Sequence, residues 1–115
     1  MTSGLAGKRC VPCEAGTPPL SLHDAERLAA QVPGWELQPD EQKLVRSFKF
    51  KDFKEAMAFV NRVADLAEAE GHHPDILISW NRVRLELTTH AIKGLSENDF
   101  IMAARIGELA AGPGA

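Results

Sequence analysis

Three of the four histidines in this 115-residue sequence, His72, His73 and His90, lie between positions 72 and 90. Imidazole titrates near neutrality, so it suits the delivery and removal of protons under mild conditions. The first two belong to the run Glu68-Ala69-Glu70-Gly71-His72-His73-Pro74-Asp75. Pro74 fixes its own backbone and restricts the residue before it, which holds the imidazole of His73 in place. Trp80 and Asp99 follow, an aromatic ring and a carboxylate. Acid–base chemistry on a small organic substrate is what such a set can do.

Each residue also has a plainer role. Adjacent histidines at a helix end can satisfy the last carbonyls and favour the negative end of the dipole. Asp99 stands three residues after Ser96, the spacing of a capping box. Glu68 and Glu70 read as a solvated helix end, Trp80 as packing, and His23 as a residue without a functional role. Zinc or iron on the three histidines is the rival chemistry, but neighbouring His72 and His73 point apart, and no His-Glu-x-x-His spacing occurs. No serine has a nucleophile-elbow setting, and no glycine loop is suited to phosphate.

The elements that must carry these residues can be read from periodicity and caps. Ser21 with Asp24 opens a helix whose apolar positions Leu22, Ala25, Leu28, Ala29 and Val32 share a face, and Pro33-Gly34 stops it. Residues 35–37 and 44–50 read as short strands around a polar turn, with Arg46 as the exception to apolar alternation. Asp52 with Glu55 caps the long helix, which ends at Gly71; Phe59 and Leu66 widen its apolar stripe and hint at a subunit interface. Strands follow over 75–80 and 83–89, joined at Asn81-Arg82, with Arg84, Glu86, Thr88 and His90 on the side away from the helices. A last helix starts after Ser96. The order α-β-β-α-β-β-α predicts an α+β fold, a four-stranded antiparallel sheet with helices on one face and a free, polar opposite face. The hairpin brings the start of strand 75–80 beside the end of strand 83–89, which gathers the three histidines at one edge.

Length and charge bound the rest. A chain of this size makes one domain, read here as residues 21–111 behind a Gly/Pro-rich leader over 1–20. A formal charge of −3 argues against nucleic acid as a direct partner. No segment has the length and apolarity of a signal peptide or a membrane span, so a cytoplasmic location is expected. Cys10 and Cys13 form one Cys-x-x-Cys in the leader, half of a four-ligand zinc site and without the strand–helix context of a redox pair. They read as incidental thiols in a mobile arm; metal shared between subunits and disulfide formation are the alternatives.

At the histidines the sequence resembles the pterin-4a-carbinolamine dehydratases, also known as dimerisation cofactors of a hepatocyte homeodomain factor. Glu68, then His72-His73-Pro74, Trp80, His90 and Asp99 meet the family pattern with its spacings, and Gly34-Trp35 is similar to the family as well. The likeness covers roughly residues 20–110 and leaves out the Cys-x-x-Cys leader. It implies a hydro-lyase without metal or other cofactor. Such an enzyme dehydrates 4a-hydroxytetrahydropterin, left by aromatic amino acid hydroxylases, to quinonoid dihydropterin and water, in pterin recycling of the tetrahydrobiopterin type. It implies His72 and His90 as the acid–base pair, and His73 as a substrate-orienting residue that can share in proton transfer. Asp99, Glu68 and Trp80 are implied as further orienting positions. A homodimer or homotetramer is implied too. The alternatives on the same scaffold are a non-catalytic protein-binding or coactivator module and a role in molybdopterin metabolism.

Overall fold

The computed structural model describes residues 4–10, 18–38, 40 and 42–110. Among them α1 is Leu22–Ala29, β1 Glu36–Gln38, β2 Lys43–Lys49, α2 Phe53–Glu70, β3 Asp75–Ser79, β4 Arg82–Leu87 and α3 Glu97–Ala110. The caps act where expected. The Ser21 side chain accepts from the Asp24 N–H, and Asp52 from the Glu55 N–H. The Glu55 carboxylate accepts in return from the Lys51 N–H, which closes the entry to α2.

The strands form one antiparallel sheet in the order β1-β2-β4-β3. Leu44, Phe48, Val83, Leu85 and Leu87 point to one face and are buried under the helices. They meet Ala25 and Leu28 of α1, Phe59 and Val63 of α2, and Phe100, Met102 and Ile106 of α3 in a single core. The architecture is the α+β layer expected, with helices on one face. Phe59 lies 4.8 Å from Phe48 and 5.1 Å from Phe50, ring centre to ring centre. It therefore completes this domain's own core rather than widening an outer stripe, whereas Leu66 is half-buried.

One local expectation is corrected and one is met. The β3–β4 turn is Trp80-Asn81, not Asn81-Arg82, because Ser79 pairs with Arg82 and Trp80 takes up the left-handed backbone at φ 52°. Asn81 then fastens the turn by donating to the Phe50 carbonyl at 3.0 Å. Arg46, the break in alternation, does face the helices, where its guanidinium lies 4.6 Å over the Phe48 ring. A Cβ at Gly34 would come within 3.0 Å of that guanidinium, and Gly34 sits at φ +95°, so both space and backbone require glycine there.

The expected leader is partly packed. Gly4–Gly7 is a 3-10 turn, Leu5 is buried in the core cluster, and the segment to Cys10 lies along α3. Cys13 lies outside the described residues.

Candidate active site

Gly71 ends α2 in the left-handed conformation, φ 66°, with its N–H on the Ala67 carbonyl. The next amide, that of His72, also donates to Ala67. This Gly cap reverses the chain and sends it through buried Pro74 into β3. Asp75 pairs with Glu86 across the β3–β4 ladder. Continuing that register past the strand ends brings His72 level with Thr89. Beyond Thr89 the chain makes a 3-10 turn, His90–Ile92, closed by a Thr89–Gly94 bridge with Lys93 at φ 55°.

These elements converge on one carboxylate. His72 Nε2 lies 2.6 Å from Asp99 Oδ1, and the carboxylate accepts, which leaves Nδ1 as the free ring nitrogen. Asp99 Oδ2 accepts from the Thr89 hydroxyl at 2.7 Å and from the Ser96 N–H at 3.0 Å. Thr89 and Ser96 also share a hydrogen bond of 2.7 Å. Asp99 is fully buried and the His72 side chain is 12% exposed. One oxygen of Asp99 thus takes the Ser96 N–H at the entry to α3, and the other contacts the His72 ring.

His73 faces solvent, and its Nε2 donates to Glu68 Oε2 at 2.6 Å, with both side chains more than half exposed. Glu68 is thus the solvated helix-end residue expected, yet it orients a ring. His90 is exposed and borders an open-face cleft of about 360 Å³ with Asp75, Glu86, Thr88, Lys43 and Lys93. Lys43 and Arg84 both hydrogen-bond Glu86, and these two contacts, Lys43 first, hold its carboxyl below the ordinary range. The Thr88 hydroxyl donates to the Gln42 carbonyl at 2.8 Å. Trp80 is not brought to this group. It is exposed at the opposite end of the hairpin, separated from His73 by roughly 20 Å of extended chain.

Glu70 is the residue that sequence reasoning misread. It is no solvated end: its side chain is 2% exposed and takes three partners. Oε1 accepts from the Cys10 N–H at 2.8 Å, while Oε2 lies 2.7 Å from Arg9 Nε and 3.0 Å from Arg105 Nη1. The Cys10 amide, then Arg9 and Arg105, hold its carboxyl below the ordinary range against the opposing effect of burial. The Cys10 thiol donates to the Asn98 carbonyl at 3.8 Å. Burial, with Glu70 adding to it, pushes that thiol up to about 11. This is the reverse of the electropositive setting that makes a cysteine reactive.

Among the described residues no group of three or more His, Cys, Asp and Glu side chains is arranged to hold a metal ion, and no helix is long and apolar enough to cross a membrane. Comparison with known proteins bears on the same residues. A relative in Methylococcus capsulatus, provisionally named as a pterin-4-alpha-carbinolamine dehydratase, is 54% identical over 93% of this chain and 94% of its own length. Its counterpart of the same provisional name in Rubrobacter xylanophilus is 53% identical over 93% of this chain and 99% of its own. The crystal structure of a transcriptional coactivator/pterin dehydratase from Brucella melitensis superposes with a TM-score of 0.76 at 34% identity, covering 80% of this chain and 98% of that one. A pterin dehydratase-like RuBisCO assembly factor of the alpha-carboxysome superposes with a TM-score of 0.60 at 29% identity, over 69% of this chain and 92% of that one. The pattern of the family described as pterin 4 alpha carbinolamine dehydratase matches residues 18–109, and the chain belongs to that family.

Proposed function

We propose that this protein is a hydro-lyase that converts 4a-hydroxytetrahydropterin to quinonoid dihydropterin and water in the cytoplasm, by proton transfer between histidines and substrate. In the reaction the C4a–O bond breaks as the departing hydroxyl takes a proton and leaves as water. N5 gives up its proton, and the electron pair left there closes the C4a=N5 double bond. One group must give a proton and another take one, after which both reset by exchange. His72 and His90 are assigned to that pair, and His73 to orienting the pterin, with Glu68 holding its ring. Asp99 is a positioning residue, fixing the ring of His72 with Nδ1 outward.

The observation that carries this reading is the His72–Asp99 pair of 2.6 Å, braced by Thr89 next to His90 and the cleft. A polar cleft bordered by a histidine and carboxylates suits a flat heterocycle rich in N–H donors. The exposed edge strand β3, with Leu77 62% exposed, supports association into a homodimer or homotetramer. Recycling behind an aromatic amino acid hydroxylase is the pathway assigned.

The test is a coupled hydroxylase assay on purified protein, with and without a chelator. Faster decay of the carbinolamine absorbance, insensitive to chelator and lost in both His72→Ala and His90→Ala, is the expected result. The likeness to an assembly factor favours, as second reading, a binding module on this scaffold; decay no faster than without protein would select it. Activity abolished by chelator and restored by zinc would instead select a metal.

A further inference from the structure

We infer that residues 4–10 form a strap that positions the His72–Asp99 pair by tying the end of α2 to the start of α3, with Glu70 as its anchor. The inference rests on the reading of His72 as a proton-transfer group, and it assigns a task to a segment outside the family match.

The strap's contacts fall on residues flanking both members of the pair. On α3, Lys8 pairs with Glu97 at 2.8 Å, and the Cys10 thiol reaches the Asn98 carbonyl; these are the two residues before Asp99. On α2, Arg9 and the Cys10 amide take Glu70, two residues before His72. Leu5, 5% exposed, seats the segment in the core cluster.

Glu70 has a reason to need these partners. A carboxylate in the last turn of a helix faces the negative end of the dipole, and α2 has no basic residue in that turn to offset it. Burial adds a further cost. Arg105 from α3 supplies one compensating charge; the strap supplies the second and the amide donor. With the strap undocked, Glu70 keeps one of its three partners, and the buried anchor between the helices loosens. A bond as short as that of His72 to Asp99 survives only if both helix ends hold within about 0.5 Å. Misplacement of a catalytic group by about 1 Å is enough to cost 10²-fold in rate.

The test measures steady-state dehydration together with the ring ¹⁵N and Nε2–H signals of His72 in the full chain. Two variants release the strap: Leu5→Asp, which puts a charge in its apolar seat, and Lys8→Ala/Arg9→Ala, which removes exposed charges and leaves the core untouched. We expect kcat to fall about tenfold in Leu5→Asp and a few-fold in the double variant, with KM unchanged, the hydrogen-bonded Nε2–H signal broadened, and both restored in Leu5→Met. His72→Ala is the control. If it is inactive while both strap variants keep wild-type kcat and an unaltered His72 signal, the strap has no positioning role. If His72→Ala is fully active, the assigned mechanism fails instead, and the ring signal alone still decides for or against the strap. Should Leu5→Asp not fold, the double variant decides.

Discussion

His72 and Asp99 are 27 residues apart in sequence, yet Nε2 and Oδ1 are 2.6 Å apart. The first leaves the end of α2 and the second sits in the first turn of α3. The carboxylate is fully buried, and a buried carboxylate needs every oxygen satisfied. Thr89 and Ser96 supply Oδ2, so Oδ1 has one strong donor, the imidazole. The ring is thereby fixed in tautomer and direction, which is what a proton-transfer histidine requires.

Asp99→Asn tests that fixing. The amide keeps the shape but has one acceptor oxygen. With that oxygen turned to Thr89 and Ser96, its NH₂ faces His72, which must then accept at Nε2 and carry its proton on Nδ1. The outward nitrogen becomes the wrong tautomer. Dehydration should fall by about 10²-fold or more, seen in kcat, while the far-ultraviolet circular dichroism stays that of the native fold. An Asp99→Asn enzyme with wild-type kcat would remove Asp99 from the mechanism.

Thr89→Val separates bracing from packing. The substitution is close to isosteric but deletes the hydroxyl that donates to Asp99 and shares a bond with Ser96. Leaving a buried polar group unpaired costs about 1–3 kcal/mol. For a domain of this size that lowers Tm by roughly 4 °C per kcal/mol. Thr89→Ser should restore most of both stability and kcat in thermal melts and kinetics run side by side. A loss in Thr89→Ser with none in Thr89→Val would put the effect in the methyl group instead.

The parts of this arrangement written in local chemistry were legible in the sequence. Ser21 and Asp52 cap helices by bonds to residues three positions on, and Gly71 stops α2 because it tolerates the left-handed turn. The antiparallel sheet under helices on one face, with the start of β3 beside the end of β4, followed from those boundaries plus one hairpin, whereas the order β1-β2-β4-β3 needed the long-range pairing of β2 with β4. Where the reading failed, the cause was distant. Glu70 looked solvated because its partners come from positions 9, 10 and 105. Arg46 was rightly read as the exception to alternation, but what accommodates it, Phe48 and the bare backbone at Gly34, was not. Trp80 looked like a companion of the histidines because spacing along the chain does not report which end of a hairpin a residue occupies. Its left-handed backbone, unusual for an aromatic residue, moved the turn by one position.

Gly71→Ala isolates the backbone that launches His72. A Cβ there meets nothing within 4 Å, so the only penalty is the left-handed conformation at φ 66°. That penalty is about 1–2 kcal/mol for alanine and less for asparagine. Chemical denaturation should therefore rank the wild type above Gly71→Asn above Gly71→Ala, with kcat in the same order. If alanine proved neutral, the turn after α2 would have to have moved.

Acid should release the strap through Glu70. Its carboxyl is held below the ordinary 4.5, so the folded state binds this proton less readily than the unfolded one. The stability it contributes is present above about pH 4.5 and is lost as pH falls through the depressed value. Hydrogen exchange of the Cys10 amide reports the contact directly. Protection at neutral pH should disappear on acidification ahead of that of the buried strands, and Glu70→Gln should remove this dependence.

Alkali acts through Cys10 with the opposite sign. Its thiol is raised from 9.0 to about 11, so the unfolded or undocked chain gives up the proton first. Docking is unaffected below pH 9 and weakens between 9 and about 11. In a Cys13→Ser background, iodoacetamide reports Cys10 alone. At pH 8 a thiol raised that far holds about a hundredfold less thiolate than an ordinary cysteine, and alkylation follows the thiolate. The folded protein should therefore react far more slowly than the same chain in denaturant, and Leu5→Asp should bring the rate most of the way to the denatured value. Rapid alkylation of the folded Cys13→Ser protein, unchanged by Leu5→Asp, would mean that Cys10 does not rest against Asn98 and that the strap is undocked in solution.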